Sequence, residues 1–289
     1  MDISELFSAY SKHPLVADVR KALAAGRNVV AEGLVGSARS MALAAVFAAS
    51  KDDMFVVAND EESAAYLFND MTHMLGAEQV LYFPSSFRNI SKGKVDSINE
   101  VMRTEVLNRL SQVNGSRLVI VTYPEALVEK VIPSSSLRKK ILTLTKGEEV
   151  DTHTVIDILL ENGFERVDFV YEPGQFSSRG SILDIFSYSN ELPFRIDFFG
   201  NEIDSIRLFN IETQLSEEMR ESVSIVPDIR REQKGVTPVP VLQFVKESSV
   251  FAFDDLIFSC DVLNKVYESK HNSMKTEVEK DKEAYINGD

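Results

Sequence analysis

The first third of the chain alternates between two kinds of hydrophobic pattern. Short runs that are apolar throughout, at 28–32 (NVVAE), 54–58 (MFVVA), 80–83 (VLYF) and 118–122 (LVIVT), carry β-branched or aromatic residues. Stretches with helical spacing lie between them. The alanine-rich segment SMALAAVFAAS follows the first run, and Asp60 offers an N-cap for a helix to about Leu75. Ile98, Val101, Met102, Glu105, Val106 and Leu110 recur at helical intervals over 95–111. Strands without internal alternation, separated by helices, predict a parallel sheet covered on both faces.

The pattern changes near 132–136 (IPSSS). After KILTL, a helix over about 151–162 and ERVDFVY, the runs FSSRGSILDIF, PFRIDFF and EIDSIRLF follow with no helix between them. That is the pattern of an antiparallel meander, and Gly200-Asn201 is a two-residue hairpin signal. A proline- and charge-rich loop covers 227–240. VFAF (250–253) and a helix over about 255–270 then restore α/β character, and 250–253 is expected to pair with the first sheet. The charged tail 271–289 reads as helical or frayed. The layout is an α/β domain over 1–131, an inserted β-rich α+β domain over 132–221, and a return segment over 222–289.

Composition narrows the function classes. With 44% hydrophobic and 26% charged residues, the chain has the balance of a soluble globular protein. Its formal charge of −14 argues against a general nucleic-acid binder, which needs clustered Lys and Arg. No apolar run approaches a membrane span, and the start MDISELFSAYSKHP lacks the features of a secretory signal. A lone cysteine, Cys260, excludes an internal disulfide and fits a reducing cytoplasm; its apolar setting reads as core. His13, His73, His153 and His271 have no ligand at metal-binding spacing and are expected at the surface. Arg138, Lys139 and Lys140 read as a solvated strand edge, and Glu61-Glu62 as support for a helix N-terminus.

Two stretches carry candidate chemistry. The first, GLVGSARS (33–40), follows an expected strand and precedes an expected helix, the setting of a phosphate-binding loop. Gly33 and Ser40 fit that frame, with Gly36 inside the loop, but Ala38 replaces the second signature glycine and Arg39 the lysine. Ala38 puts a methyl group where backbone must approach phosphate. Arg39 substitutes a planar fork for a compact ammonium. The reading is a parallel sheet of degenerate P-loop, RecA/helicase-like type that has lost ATP hydrolysis. In the second stretch, RIDFF (195–199), alternation puts Arg195, Asp197 and Phe199 on one strand face, and Phe194, Ile196 and Phe198 on a core face. Alternation alone favours a solvated Arg195–Asp197 pair, with Phe199 an ordinary hairpin residue.

Residues 172–218, EPGQFSSRGSILDIFSYSNELPFRIDFFGNEIDSIRLFNIETQLSEE, closely resemble the module shared by the excision-repair protein UvrB and the transcription-repair coupling factors (Mfd). The resemblance extends more weakly over the rest of the chain. The degenerate loop and the ELPFRIDFF wording resemble the coupling factors. UvrB's tyrosine-rich DNA-gripping hairpin has no counterpart in LYFPSSFRNISKGK (81–94). The resemblance implies the amino-terminal UvrB-like part of a coupling factor, with domain 1a over 1–131, domain 2 over 132–221 and domain 1b over 222–289. It also implies that domain 2 binds UvrA through the matching positions Arg179, Arg195 and Phe199. No cofactor and no catalytic residue are implied for this piece. ATP and magnesium, RNA polymerase and DNA would engage parts of the longer family members beyond it, including the translocase. The alternative is a divergent UvrB-like, ATP-dependent DNA-damage recognition protein.

Overall fold

The computed structural model describes residues 3–89, 94–95, 97–112, 115–228 and 237–268. These fall into two compact units, one drawn from within 1–82, 117–129 and 246–289, the other from within 83–116 and 130–245. The tail 271–289, His271, much of the loop 227–240 and part of 81–94 lie outside the described residues.

The first unit is built on four parallel strands in the order Val250–Phe253, Met54–Val57, Val119–Thr122, Val80–Tyr82. VFAF therefore pairs with the first sheet, Val250 opposite Met54 and Phe253 opposite Val57. The two middle strands are buried at every position, as a wholly apolar run requires. The Val250–Phe253 strand is only half-buried along its length. Asp53, just before Met54, is buried but paired: Oδ1 accepts the Leu118 N–H at 2.9 Å, and Oδ2 lies 2.9 Å from Lys246 Nζ. This ties together the starts of three strands. The Glu61–Leu75 helix begins where its cap was expected, with the Ser63 N–H donating to Asp60 Oδ1 at 2.7 Å.

Residues 28–32 do not form the expected strand. They are exposed, Val30 to 84%, and no backbone ladder joins them to a neighbour among the described residues. An apolar run becomes a strand only where a sheet edge takes its N–H and C=O groups, and none does so here.

The second unit centres on a six-stranded sheet in the order Ser216–Arg220, Glu202–Phe209, Phe194–Phe199, Ile182–Ile185, Gln175–Arg179, Glu165–Arg166. Its first five strands form the expected antiparallel meander, and the last pairs parallel. Gly180 and Gly200 take positive φ in its two-residue hairpins (+62° and +65°), conformations that favour glycine. One face of the sheet packs Phe176, Leu183, Ile185, Phe194, Ile196 and Phe198 against Val155, Ile156 and Leu159 of the Thr152–Glu161 helix. The strand alternation read from 194–199 is thus the observed one. Arg138, Lys139 and Lys140, read as a strand edge, instead close the Ser134–Lys140 helix. Cations suit the last turn, where unpaired carbonyls concentrate negative potential.

Candidate protein-interaction face

Opposite the core, strand register sets a row of four polar side chains that ends at Met219. Ser177 lies across from Asp184, Asp184 from Arg195, Arg195 from Arg207, and Arg207 from Met219. Neighbours in such a row stand close enough to interact directly. Asp184 is the middle of this arrangement, its side chain only 2% exposed. A buried carboxylate is stable when its oxygens are hydrogen-bonded to cations. Arg195 donates from Nε to Oδ1 at 2.7 Å and from Nη2 to Oδ2 at 2.9 Å, and Arg179 Nη2 donates to Oδ2 at 2.7 Å.

The resemblance makes Arg195 a partner-binding position; its side chain is only 15% exposed and takes part in the fold itself. Beyond Asp184, its guanidinium donates to the Gln214 backbone oxygen at 3.3 Å and to Gln214 Oε1 at 3.0 Å. It also lies 4.2 Å from the Phe209 ring centroid. The hydrogen bond to Asp184 raises its pKa; burial opposes this, and the charges of Asp184 and Asp197 add to the rise. Gln214 holds this geometry at φ +60°, uncommon for a residue with a side chain. Asp197, on the same face, pairs with Arg207 and accepts from Ser205 Oγ at 3.1 Å, so its partner is Arg207 and not Arg195.

Arg179 and Phe199 are more open. Arg179 is 41% exposed and its guanidinium stacks 4.7 Å from the Phe169 ring centroid. Phe199 is 81% exposed beside the Gly200-Asn201 hairpin, across from Glu202. Phe169, Tyr171, Leu215 and Met219 are also exposed, so this unit offers apolar side chains as well as charge. Asp184 and Phe169 escaped the sequence reading. Within SILDIF an acid between apolar residues reads as routine alternation, and the Asp184–Arg195 pairing becomes visible only with the strand register.

The 33–40 loop belongs to the other unit. Gly33 and Gly36 adopt φ +80° and +56°, and the Ala38–Ala48 helix starts at the substituted position without a side-chain cap from Ser37. Ser40, whose hydroxyl would serve a metal in an intact loop, is buried and donates to Asp70 Oδ2 at 2.8 Å. Arg39 Nη1 lies 2.7 Å from Asp254 Oδ2, directly after the Val250–Phe253 strand. Among the described residues Arg39 Nε and Asp254 Oδ2 have no aligned hydrogen-bond partner, so this contact is one of charge. Burial raises the Asp254 pKa; Arg39 and the Asn59 backbone bond lower it, and Asp60 raises it further.

His13, His73 and His153 are exposed as expected, whereas Cys260 is exposed where core was expected. Among the described residues no cluster of His, Cys, Asp or Glu suits a metal ion, and no helix is long and apolar enough to cross a membrane.

Residues 142–230, which include the whole meander from Gln175 to Arg220, match the family model described as the UvrB interaction domain. Full-chain comparison finds the transcription-repair-coupling factor of Bacillus subtilis (strain 168), 34% identical over 70% of this chain and 18% of the relative. That of Myxococcus xanthus is 33% identical over 73% and 18%, and that of Escherichia coli (strain K12) 25% identical over 70% and 18%. The chain thus spans about a fifth of the length of these relatives (18%). The resemblance read from 172–218 is borne out.

Proposed function

We propose that this chain, related to the transcription-repair coupling factors through their amino-terminal UvrB-like region, is a recruitment module that binds UvrA through the outer face of its meander. One observation carries the reading: the UvrB interaction domain match over 142–230 falls on the sheet where Arg179 and Arg195 converge on one buried carboxylate. Guanidinium forks favour a partner surface bearing carboxylates, and exposed aromatic side chains such as Phe199 and Phe169 add apolar contact. In the longer protein this module would serve a factor that recognises RNA polymerase stalled at lesions, releases it with ATP, and brings in nucleotide excision repair.

The 33–40 loop fits a site that has given up its nucleotide. Arg39 is engaged with Asp254 and Ser40 with Asp70, so neither is free for phosphate or magnesium. This disfavours the alternative of a UvrB-like, ATP-dependent recognition enzyme. Two titrations test the reading. Purified UvrA should bind the chain stoichiometrically and lose affinity with Arg179→Ala; unchanged affinity would remove the assignment. ATP with magnesium should give no saturable heat at micromolar concentration, and clear binding would restore the enzymatic alternative.

A further inference from the structure

Two arginines ending on a single buried carboxylate do not have equal roles. Arg195 commits four of its five N–H groups inside the chain, two to Asp184 and two to Gln214, with its ring-like plane against Phe209. Among the described residues Arg179 commits one, to Asp184 Oδ2, and it is 41% exposed. One carboxylate shared by two guanidinium groups leaves one net positive charge. That charge falls on Arg179, where water or a partner reaches it.

We propose that Asp184 is a positioning residue for the partner contact: it fixes Arg195 as an internal strut and aims Arg179, stacked on Phe169, at a carboxylate-bearing surface of UvrA. The inference rests on the UvrA reading above. A long, flexible arginine gives up rotamer freedom on binding. Held from one side by Asp184 and from the other by the Phe169 ring, Arg179 has given up much of it beforehand, while its remaining N–H groups stay available. Phe169 then contributes twice, as the shelf for the guanidinium and as exposed apolar surface beside it.

A double-mutant cycle on the full 289-residue chain, titrated with purified UvrA, separates this role from a purely structural one. Asp184→Asn keeps the side-chain shape and removes the charge. It should weaken binding roughly tenfold, the scale of one charged hydrogen bond, and Arg179→Ala should weaken it at least as much. The Asp184→Asn/Arg179→Ala double variant should bind no more weakly than Arg179→Ala alone, because Asp184 acts through Arg179. Wild-type affinity for Asp184→Asn, or losses that multiply in the double variant, would overturn the positioning role while leaving the contact itself intact. Wild-type affinity for Arg179→Ala would overturn both. Should Asp184→Asn fail to fold, Arg195→Lys serves instead. An ammonium cannot grip both carboxylate oxygens as a fork does, so Asp184 should lose its fixed orientation and UvrA binding should fall. Undiminished binding by that variant would count against the proposal.

Discussion

Both units place an arginine against an aspartate whose side chain is largely out of water, 2% exposed at Asp184 and 6% at Asp254, and the two pairs behave differently. In the meander, Asp184 receives three N–H donors from two arginines that strand register delivers to it. In the α/β unit, Asp254 has one arginine at 2.7 Å without an aligned hydrogen bond, and burial pushes its carboxyl above the usual range. A carboxylate taken out of water is compensated only when its oxygens are bonded as well as paired. The first site satisfies that condition and the second does not. Charge complementarity alone does not make a built site; the hydrogen-bond count around the carboxylate is what separates these two.

The comparison breaks most readily at the sheet core. Ile196→Ala removes a fully buried side chain on the strand that carries Arg195 and should cost about 3 kcal/mol in urea unfolding. A loss below about 1 kcal/mol would mean that the strand faces are reversed. Next in size, Arg195→Ala should cost about 2 kcal/mol of stability, because Asp184 keeps only Arg179 and two bonds to Gln214 vanish. Arg39→Ala, by contrast, should cost less than about 1 kcal/mol, as a partly exposed ion pair does. Equal losses for the two arginines would erase the distinction drawn between the sites.

Smaller than Arg195→Ala in stability, and sharper in function, are the open residues. Phe199→Ala should change unfolding free energy by no more than about 0.5 kcal/mol, and Arg179→Ala, which strips one of three donors from Asp184, by about 1 kcal/mol, while each lowers UvrA affinity roughly thirtyfold as a central anchor does. Calorimetric titration and denaturation on the same preparations check both halves. A variant that melts early yet binds normally would move its residue from the face to the fold.

Much of the meander was legible because a two-residue period leaves little freedom. The polar–apolar order of Phe194 to Phe199 states which side is core, and Gly200-Asn201 states where the chain reverses. What period cannot state is which strand lies alongside. Asp184 and Arg195 are eleven residues apart and meet only through antiparallel register, so the centre of the candidate face stayed hidden. The same gap misplaced 28–32, whose composition suits a strand but whose backbone meets no neighbour among the described residues. Cys260 was misjudged for a related reason: apolar neighbours such as Ile257 and Phe258 suggest burial, yet here they are themselves exposed.

The smallest expected effect concerns pH at the poorly compensated aspartate. Burial is the largest influence on Asp254 and raises its folded-state pKa; the Arg39 charge opposes this without reversing it. A carboxyl whose pKa is higher folded than unfolded takes up a proton on folding, so the folded state gains stability as pH falls through the folded value. Acidification from neutrality toward the carboxylate range should therefore bring a local gain at the Val250–Phe253 strand, before general acid unfolding of the ordinary carboxylates sets in. Asp254→Asn mimics the protonated form and should abolish that gain. At pH 7 it should leave the strand as stable as wild type or slightly more so, by no more than about 1 kcal/mol. Hydrogen exchange at the amides of Val250 to Asp254, compared between wild type and variant at matched pH, reads this directly. Protection that falls in the variant at pH 7 would show that the Arg39–Asp254 pair outweighs the burial of its carboxylate, and the two aspartates would then belong to the same class after all.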